Sequence, residues 1–333
     1  MAETYSTKNI QPNTKYRITQ AEVLFLINPN AGKRNARRVL RKLEPYRSMI
    51  DVRVIATGVH STEIIQAEFD NYRVFVVAGG DGTVNKAAST LAGSNKILAV
   101  YPSGSGNGFA REFGFDRNIR RLIKAIKQDH VLKADLIQLN DTHMFHLSGI
   151  GFDSEVAHQF ATRRRRGFWN YFISTIKTIW SFKPIEASIR LEGETITGRF
   201  FMINIANNRQ FGYNAVLVST ANPTDGKFDL VLVQPFPLWQ FPLFSLKLFA
   251  GMLSPEKDFR LISCSNEVEI DTSETKIHVD GEPYVFKSPL KITIQPGALN
   301  VLDTGKVKFT KKKPIPVYSK IHHQNQARHI VGI

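Results

Sequence analysis

The sequence predicts an α/β N-terminal domain with a parallel sheet, followed by a C-terminal antiparallel β-sandwich domain. Three strand–glycine turn–helix units follow one another between Val23 and Arg111, as in sheets that hold a ligand at the carboxyl ends of parallel strands. After Asp135 the texture changes to short, closely spaced β-rich runs with turns between them, the pattern of a sandwich. A chain of 333 residues is long enough to bury two cores.

Residues 1–20 are polar, with Lys8, Lys15 and Arg17 but no apolar run, so they read as a tail without a signal peptide. The first strand, Val23–Ile27, runs into Asn28-Pro29-Asn30-Ala31-Gly32-Lys33 and a basic amphipathic helix from Arg34 to Leu43. Strands at Val52–Thr57, Val74–Ala78 and Ile97–Tyr101 then alternate with helices at Thr62–Phe69, Val84–Leu91 and Ile119–Lys127. That alternation predicts helices on both faces of the sheet. β-rich runs follow at Leu136–Leu139, Met144–Leu147, Ala187–Leu191, Phe200–Ala206, Leu230–Val233, Val268–Asp271, Lys276–Val279 and Leu290–Gln295. The expected division is a tail over 1–20, a nucleotide domain over 21–135, a β-rich substrate domain over 136–303, and a basic tail over 304–333 that packs back on the first domain.

Two stretches bear on membranes. Arg163 to Arg166 open an aromatic run through Phe168, Trp169, Tyr171 and Phe172 to Ile179 and Trp180. Such a run suits a lipid–water boundary and equally a helix with one core-facing stripe. Phe236–Leu253 is apolar but interrupted by Pro237, Gln240, Pro242 and Lys247. A membrane span needs about 20 nearly uncharged apolar residues, so this segment reads as a short helix over an apolar pocket.

Hydrophobic residues make up 42% and charged residues 22% of the chain, ordinary for a globular protein. With one cysteine, Cys264, no internal disulfide framework exists, consistent with a reducing compartment. The formal charge of +15 gathers at Arg34–Lys42, Arg163–Arg166 and Lys311–Lys313. No zinc-ligand spacing or aromatic RNA-binding pattern accompanies it, so an anionic membrane surface or a polyphosphate is favoured over nucleic acid. His143 and His146 are three apart in a strand-like run, which sends them to opposite faces; no zinc site is expected.

The richest segment is Val76-Val77-Ala78-Gly79-Gly80-Asp81-Gly82-Thr83-Val84-Asn85. A strand that ends in glycines and re-enters as a helix suits a phosphate, because its backbone can approach closely and its free N–H groups face the anion. Asp81 would repel phosphate unless a divalent cation or a reacting hydroxyl stands between them. A second turn, Pro102-Ser103-Gly104-Ser105-Gly106-Asn107, follows the next strand. The Walker A pattern fails, since Gly32-Lys33 precedes Arg34 and position 27 is isoleucine; the dinucleotide pattern fails at Phe109.

Asn28-Pro29 with Gly32-Lys33, Gly79-Gly80-Asp81-Gly82-Thr83 with Asn85, and the block from Pro102 to Asn107 together resemble the diacylglycerol kinase catalytic family, which includes sphingosine, ceramide and bacterial lipid kinases. Gly149-Ile150-Gly151-Phe152, Asp225–Asp229 and Asp280-Gly281-Glu282 continue the match in order. The resemblance implies an NAD-kinase/phosphofructokinase-like first domain, ATP and Mg²⁺ as cofactors, and a lipid alcohol as acceptor. It assigns Glu282 as general base and Asp81 as the second essential carboxylate. It places the nucleotide against Asn28, Gly32, Thr57, Gly79, Gly80, Gly82, Thr83, Asn85 and Ser105. In bacterial members a structural Mg²⁺ sits on a loop matching Asn222, Asp225 and Lys227. Without the resemblance, Asp280-Gly281 reads as the type I′ turn of a hairpin, Asp225-Gly226 as a turn, and Glu155 as a head-group contact or an exposed helix-start acid. Bacterial members carry aspartate where this chain has Gly108, a departure toward the sphingosine and ceramide branch. The implied setting is cytoplasmic, peripheral on the inner membrane face, with an anionic membrane surface as partner, no nucleic acid, and a homodimer admitted. The alternatives are an NAD kinase, which shares Gly-Gly-Asp-Gly, and a non-catalytic nucleotide- or lipid-binding protein of the same fold.

Overall fold

The computed structural model describes residues 22–32, 36–56, 58–104, 106–161, 175, 178–212, 215–255, 257–307, 309 and 315–316. Strands β1 (Val23–Ile27), β2 (Asp51–Val54), β3 (Val74–Gly79) and β4 (Ile97–Pro102) lie parallel in the order β2-β1-β3-β4. Every residue of β1, β3 and β4 is buried, as expected of parallel strands covered on both faces. The edge strand β2 is partly exposed and ends at Val54, short of the expected Thr57. Helices α1 (Ala36–Leu43), α2 (Ser61–Ala67), α3 (Asp81–Leu91), α4 (Gly108–Glu112) and α5 (Ile119–Gln128) accompany the sheet. The side chain of Asn118 accepts the N–H of Arg121 at the start of α5, satisfying one free amide of the first turn.

The chain then enters β5 (His130–Leu139), β6 (Thr142–Met144) and β7 (Leu147–Gly151), followed by α6 (Phe152–Ala161). The strand expected over Met144–Leu147 is broken at Phe145-His146, because these two amides and that of Leu147 turn away to donate to the carboxylate of Asp280. Next come β8 (Ile185–Leu191), β9 (Glu194–Phe200), β10 (Met202–Ala206), β11 (Gln210–Gly212), β12 (Ala215–Val216) and β13 (Phe228–Val233). The run expected over Phe200–Ala206 is divided at Phe201, whose N–H reaches Val233 O at 2.8 Å. Helix α7 (Phe241–Ala250) precedes β14 (Arg260–Cys264), β15 (Val268–Thr272), β16 (Lys276–Val279), β17 (Glu282–Val285) and β18 (Leu290–Leu302).

One sheet of this second half runs β14-β13-β10-β7-β16-β17, antiparallel throughout. It faces β15, β8 and β9, which join β18, across a core containing Ile137, Ile150, Ile189, Ile203, Ile270 and Ile292. Its outer face is covered by α6 and α7 through Phe152, Val156, Phe201, Phe244 and Leu248. The long strand β18 belongs to both halves. Val268 pairs with Ile292 near its start, whereas Asn300 and Val301 lie parallel to Ile97 and Leu98 of β4 near its end. Beyond β18 the chain returns to the first half. Thr304 Oγ1 donates to Phe113 O at 2.8 Å, Phe309 packs on Phe113, and β19 (Ile315–Pro316) pairs with β5.

Candidate active site

The three glycine turns meet at the carboxyl ends of β1, β3 and β4. The amide of Asn28 donates to Ala78 O at 2.9 Å, and that of Ser103 to Gly79 O at 2.9 Å. Asn28 Nδ2 donates to Thr83 Oγ1 at 2.9 Å, tying the first turn to the start of α3. The second and third turns lie back to back. A β-carbon on Gly104 would stand 2.5 Å from Gly80 Cα, a separation that only glycine allows. Helix α3 begins at Asp81 with Gly80 as its cap, and the amides of Thr83 and Val84 both donate to Gly80 O at 3.0 Å. The preceding amides of the first turn have no intrahelical acceptor, and this end of the helix favours negative charge. The carboxylate of Asp81 lies against the neighbouring turn, its Oδ2 2.8 Å from the β-carbon position of Gly106, and it makes no hydrogen bond with a described residue.

Glu282 reaches this end of α3 from the other half of the molecule. Asp280 and Gly281 have φ of 50° and 86°, the two positive values that a type I′ hairpin turn requires. The turn aims Glu282, first residue of β17, so that its Oε1 lies 3.2 Å from the β-carbon position of Gly82. Glu282 is exposed to the cleft.

Its neighbour Asp280 points inward and is buried. Asp280 Oδ1 accepts the N–H groups of His146 and Leu147 at 2.9 and 3.1 Å. Its Oδ2 accepts that of Phe145 at 3.1 Å and the side-chain amide of Asn85 at 2.5 Å. Burial pushes the pKa of Asp280 above the usual carboxylate range, opposed by His146 and by these donors. Asn85 lines the cleft, but its amide is turned to Asp280 and, at 3.4 Å, to His143 O. It therefore joins the two halves: a buried carboxylate demands donors, and Asn85 is the one that α3 supplies.

Sequence reasoning missed His146. Its imidazole is buried and lines the cleft, with Nδ1 unpartnered. A β-carbon on Gly108 would stand 2.4 Å from His146 Nε2. The place where bacterial lipid kinases carry aspartate is thus filled by this ring, and no local pattern links the two positions. Among the described residues no three His, Cys, Asp or Glu side chains gather around a cation-sized site.

The cleft continues from the turns into an apolar half, with a total volume of about 1460 Å³. Phe152, Val156, Phe201, Phe244 and Leu248 line it, and the rings of Phe152 and Phe201 stack at 4.6 Å. At its edge His278 Nε2 meets Asp153 Oδ2 at 2.8 Å, and Asn204 donates to the same oxygen. Glu155 is paired with Lys276 at 2.7 Å. Burial raises its pKa, but the hydrogen bonds from Lys276 and Gln159 outweigh that and leave it below the ordinary value.

Asn222, Asp225 and Lys227 share one turn outside the cleft. Their oxygen donors are the hard type that suits Mg²⁺, yet protein groups already close the turn. Asp225 Oδ1 accepts the Lys227 N–H at 3.0 Å, and Asn222 O accepts that of Asp225 at 3.4 Å. Asp135 holds the turn from behind, accepting the Gly226 N–H at Oδ2 and the Gly297 N–H at Oδ1, both at 2.7 Å. The donor set therefore does not call for a resident cation. Gly32 lies against Ser103 O of the third turn. Thr57, Ser105, Lys33, Arg34, Arg163–Ile173 and Lys311–Lys313 lie outside the described residues.

Residues 22–139 match the family model of the diacylglycerol kinase catalytic domain, and residues 148–303 match that of the YegS C-terminal NAD kinase beta sandwich-like domain. A diacylglycerol kinase of Mycobacterium tuberculosis is 25% identical over 296 residues, covering 84% of this chain and 94% of that protein. A diacylglycerol kinase of Bacillus subtilis is 23% identical over 271 residues, covering 78% and 88%. A solved diacylglycerol kinase structure from Bacillus anthracis superposes with a TM-score of 0.66 at 20% identity, over 87% of this chain and 98% of that one. A second structure from the same organism reaches 0.71 at 23% identity, again over 87% and 98%. At these identities the two structures speak to the fold alone.

Proposed function

The chain belongs to the diacylglycerol kinase catalytic-domain family, and from that premise we propose that it transfers the γ-phosphoryl group of ATP to the hydroxyl of a membrane lipid, diacylglycerol or a sphingoid type. The observation that carries this reading is the approach of Glu282 Oε1 to Gly82, at the amide-rich start of α3. It brings a carboxylate from one half against the phosphate-binding turn of the other, while the same cleft runs on into a phenylalanine-lined apolar half.

Phosphoryl transfer asks the protein mainly for position and charge neutralisation. The glycine turns at 79–83 and 104–107 offer backbone amides to the triphosphate. Glu282 takes the proton of the lipid hydroxyl as its oxygen bonds to the γ-phosphorus; the bond from that phosphorus to the β–γ bridging oxygen breaks, and ADP leaves. Asp81, whose carboxylate bonds to no described residue, would hold Mg²⁺, which supplies charge neutralisation of the phosphates when bound with the nucleotide. Phe152, Phe201, Phe244 and Leu248 would receive the acyl or alkyl chain.

The test is incubation of the protein with labelled ATP and a total lipid extract, read by mass spectrometry, with NAD as a separate acceptor. A phosphorylated lipid formed by the native protein and lost in Glu282→Gln is expected. Phosphorylation of NAD alone would replace this reading with the NAD kinase alternative.

A further inference from the structure

Helix α7 has two apolar faces and only one is covered. Phe244 and Leu248 are buried and wall the substrate cleft. On the other side Leu246 is 66% exposed, preceded by Trp239 at 77% and followed by Met252 at 70%. No described residue covers these three. Along the flank of α7 runs a groove of about 540 Å³, lined by Arg199, Lys257 and Arg260. None of their side chains makes a hydrogen bond or ion pair with a described residue. The groove's one carboxylate, Asp258, is already neutralised by Lys247 at 2.5 Å.

We propose that this face seats the protein on an anionic phospholipid bilayer, with Trp239, Leu246 and Met252 entering the head-group boundary and Arg199, Lys257 and Arg260 taking lipid phosphates. The inference deepens the lipid-kinase reading and rests on it for its choice of partner. Leu246 stands on the helix that also walls the cleft, with Trp239 and Met252 just beyond its two ends, so a lipid can pass from the bilayer along α7 without exposing its chain to water. Guanidinium and ammonium groups without a described partner along one flank of α7, with exposed tryptophan and aliphatic side chains on and around the same helix, match the layered chemistry of an anionic head-group region. The formal charge of +15 favours the same surface.

The full chain is sedimented with vesicles of phosphatidylcholine, with and without phosphatidylglycerol, in the absence of nucleotide. The native protein should bind the anionic vesicles, and less so as salt rises. Lys257→Gln with Arg260→Gln should weaken that binding by about 30-fold, each cation near an anionic surface being worth about fivefold, and leave binding to pure phosphatidylcholine unchanged. Trp239→Ser with Leu246→Ser should weaken binding to both vesicle types by about tenfold or more. Thermal melting confirms that each variant is folded. Native-like vesicle binding by both double variants overturns the proposal. So does a native dimer that Trp239→Ser with Leu246→Ser converts to monomer, because the face would then join two copies of this chain. If lipid in detergent micelles is phosphorylated while the variants bind vesicles normally, the docking surface falls and the kinase reading stands. If no lipid is ever phosphorylated but the variants lose vesicle binding as described, the surface stands and the kinase reading falls.

Discussion

Two residues of one hairpin, separated by a single glycine, do opposite work. Glu282 is exposed in the cleft, while Asp280 is buried under four N–H donors. Glu282→Gln keeps the shape and removes the base, so kcat should fall about 10²- to 10⁴-fold, with the nucleotide KM nearly unchanged in steady-state kinetics. Asp280→Ala removes the acceptor for all four donors. Unfolding in urea should show a loss of about 3 kcal/mol or more, with slower turnover because the Glu282 hairpin loses its tether. Far from the site, burial and the hydrogen bond to Asp51 push the Tyr72 phenol up to about 12. Between pH 10, its ordinary value, and about pH 12, the unfolded chain has lost this proton and the folded chain retains it. The contribution is therefore complete below pH 10 and lost as pH rises through about 12. Tyr72→Phe should flatten that part of the alkaline stability profile.

The β16–β17 hairpin sets where Glu282, the proposed base, stands in the cleft, and its turn depends on Gly281, at φ 86° with no atom near enough to meet an added β-carbon. Gly281→Ala should then act through backbone strain alone, lowering stability by about 1–2 kcal/mol in thermal melts and lowering kcat more than substrate affinity. The hairpin, the three glycine turns and the all-buried strands β1, β3 and β4 were legible because each is specified by a short local string. Their partners were not. The position of Asn85 on α3 was legible, but its bond to Asp280, 195 residues away, was not. Gly108 and His146 fit each other across the junction of the two halves without a shared motif. The break at Phe145-His146 was equally hidden, since it arises from amides drawn to Asp280.

In the whole molecule, the site is assembled from two halves that share a sheet, and the order of motifs along the sequence anticipated which halves these would be. It did not reveal Asp135, whose two oxygens hold Gly226 and Gly297 and so fasten the 222–227 turn to β18. Because that turn is closed by protein groups, removal of divalent cations with EDTA should leave the melting temperature within about 1 °C, less than a 1 kcal/mol change would give in a chain of this size. The same treatment should abolish phosphoryl transfer, a contrast that calorimetry and a turnover assay resolve. A loop hinge would require the halves to be joined by loose chain. Here β18 is a continuous beam across both, and its one irregularity, between Gln295 and Leu299, is pinned at Gly297 by Asp135. Any change in the width of the gap would therefore have to bend this strand rather than swing on a loop.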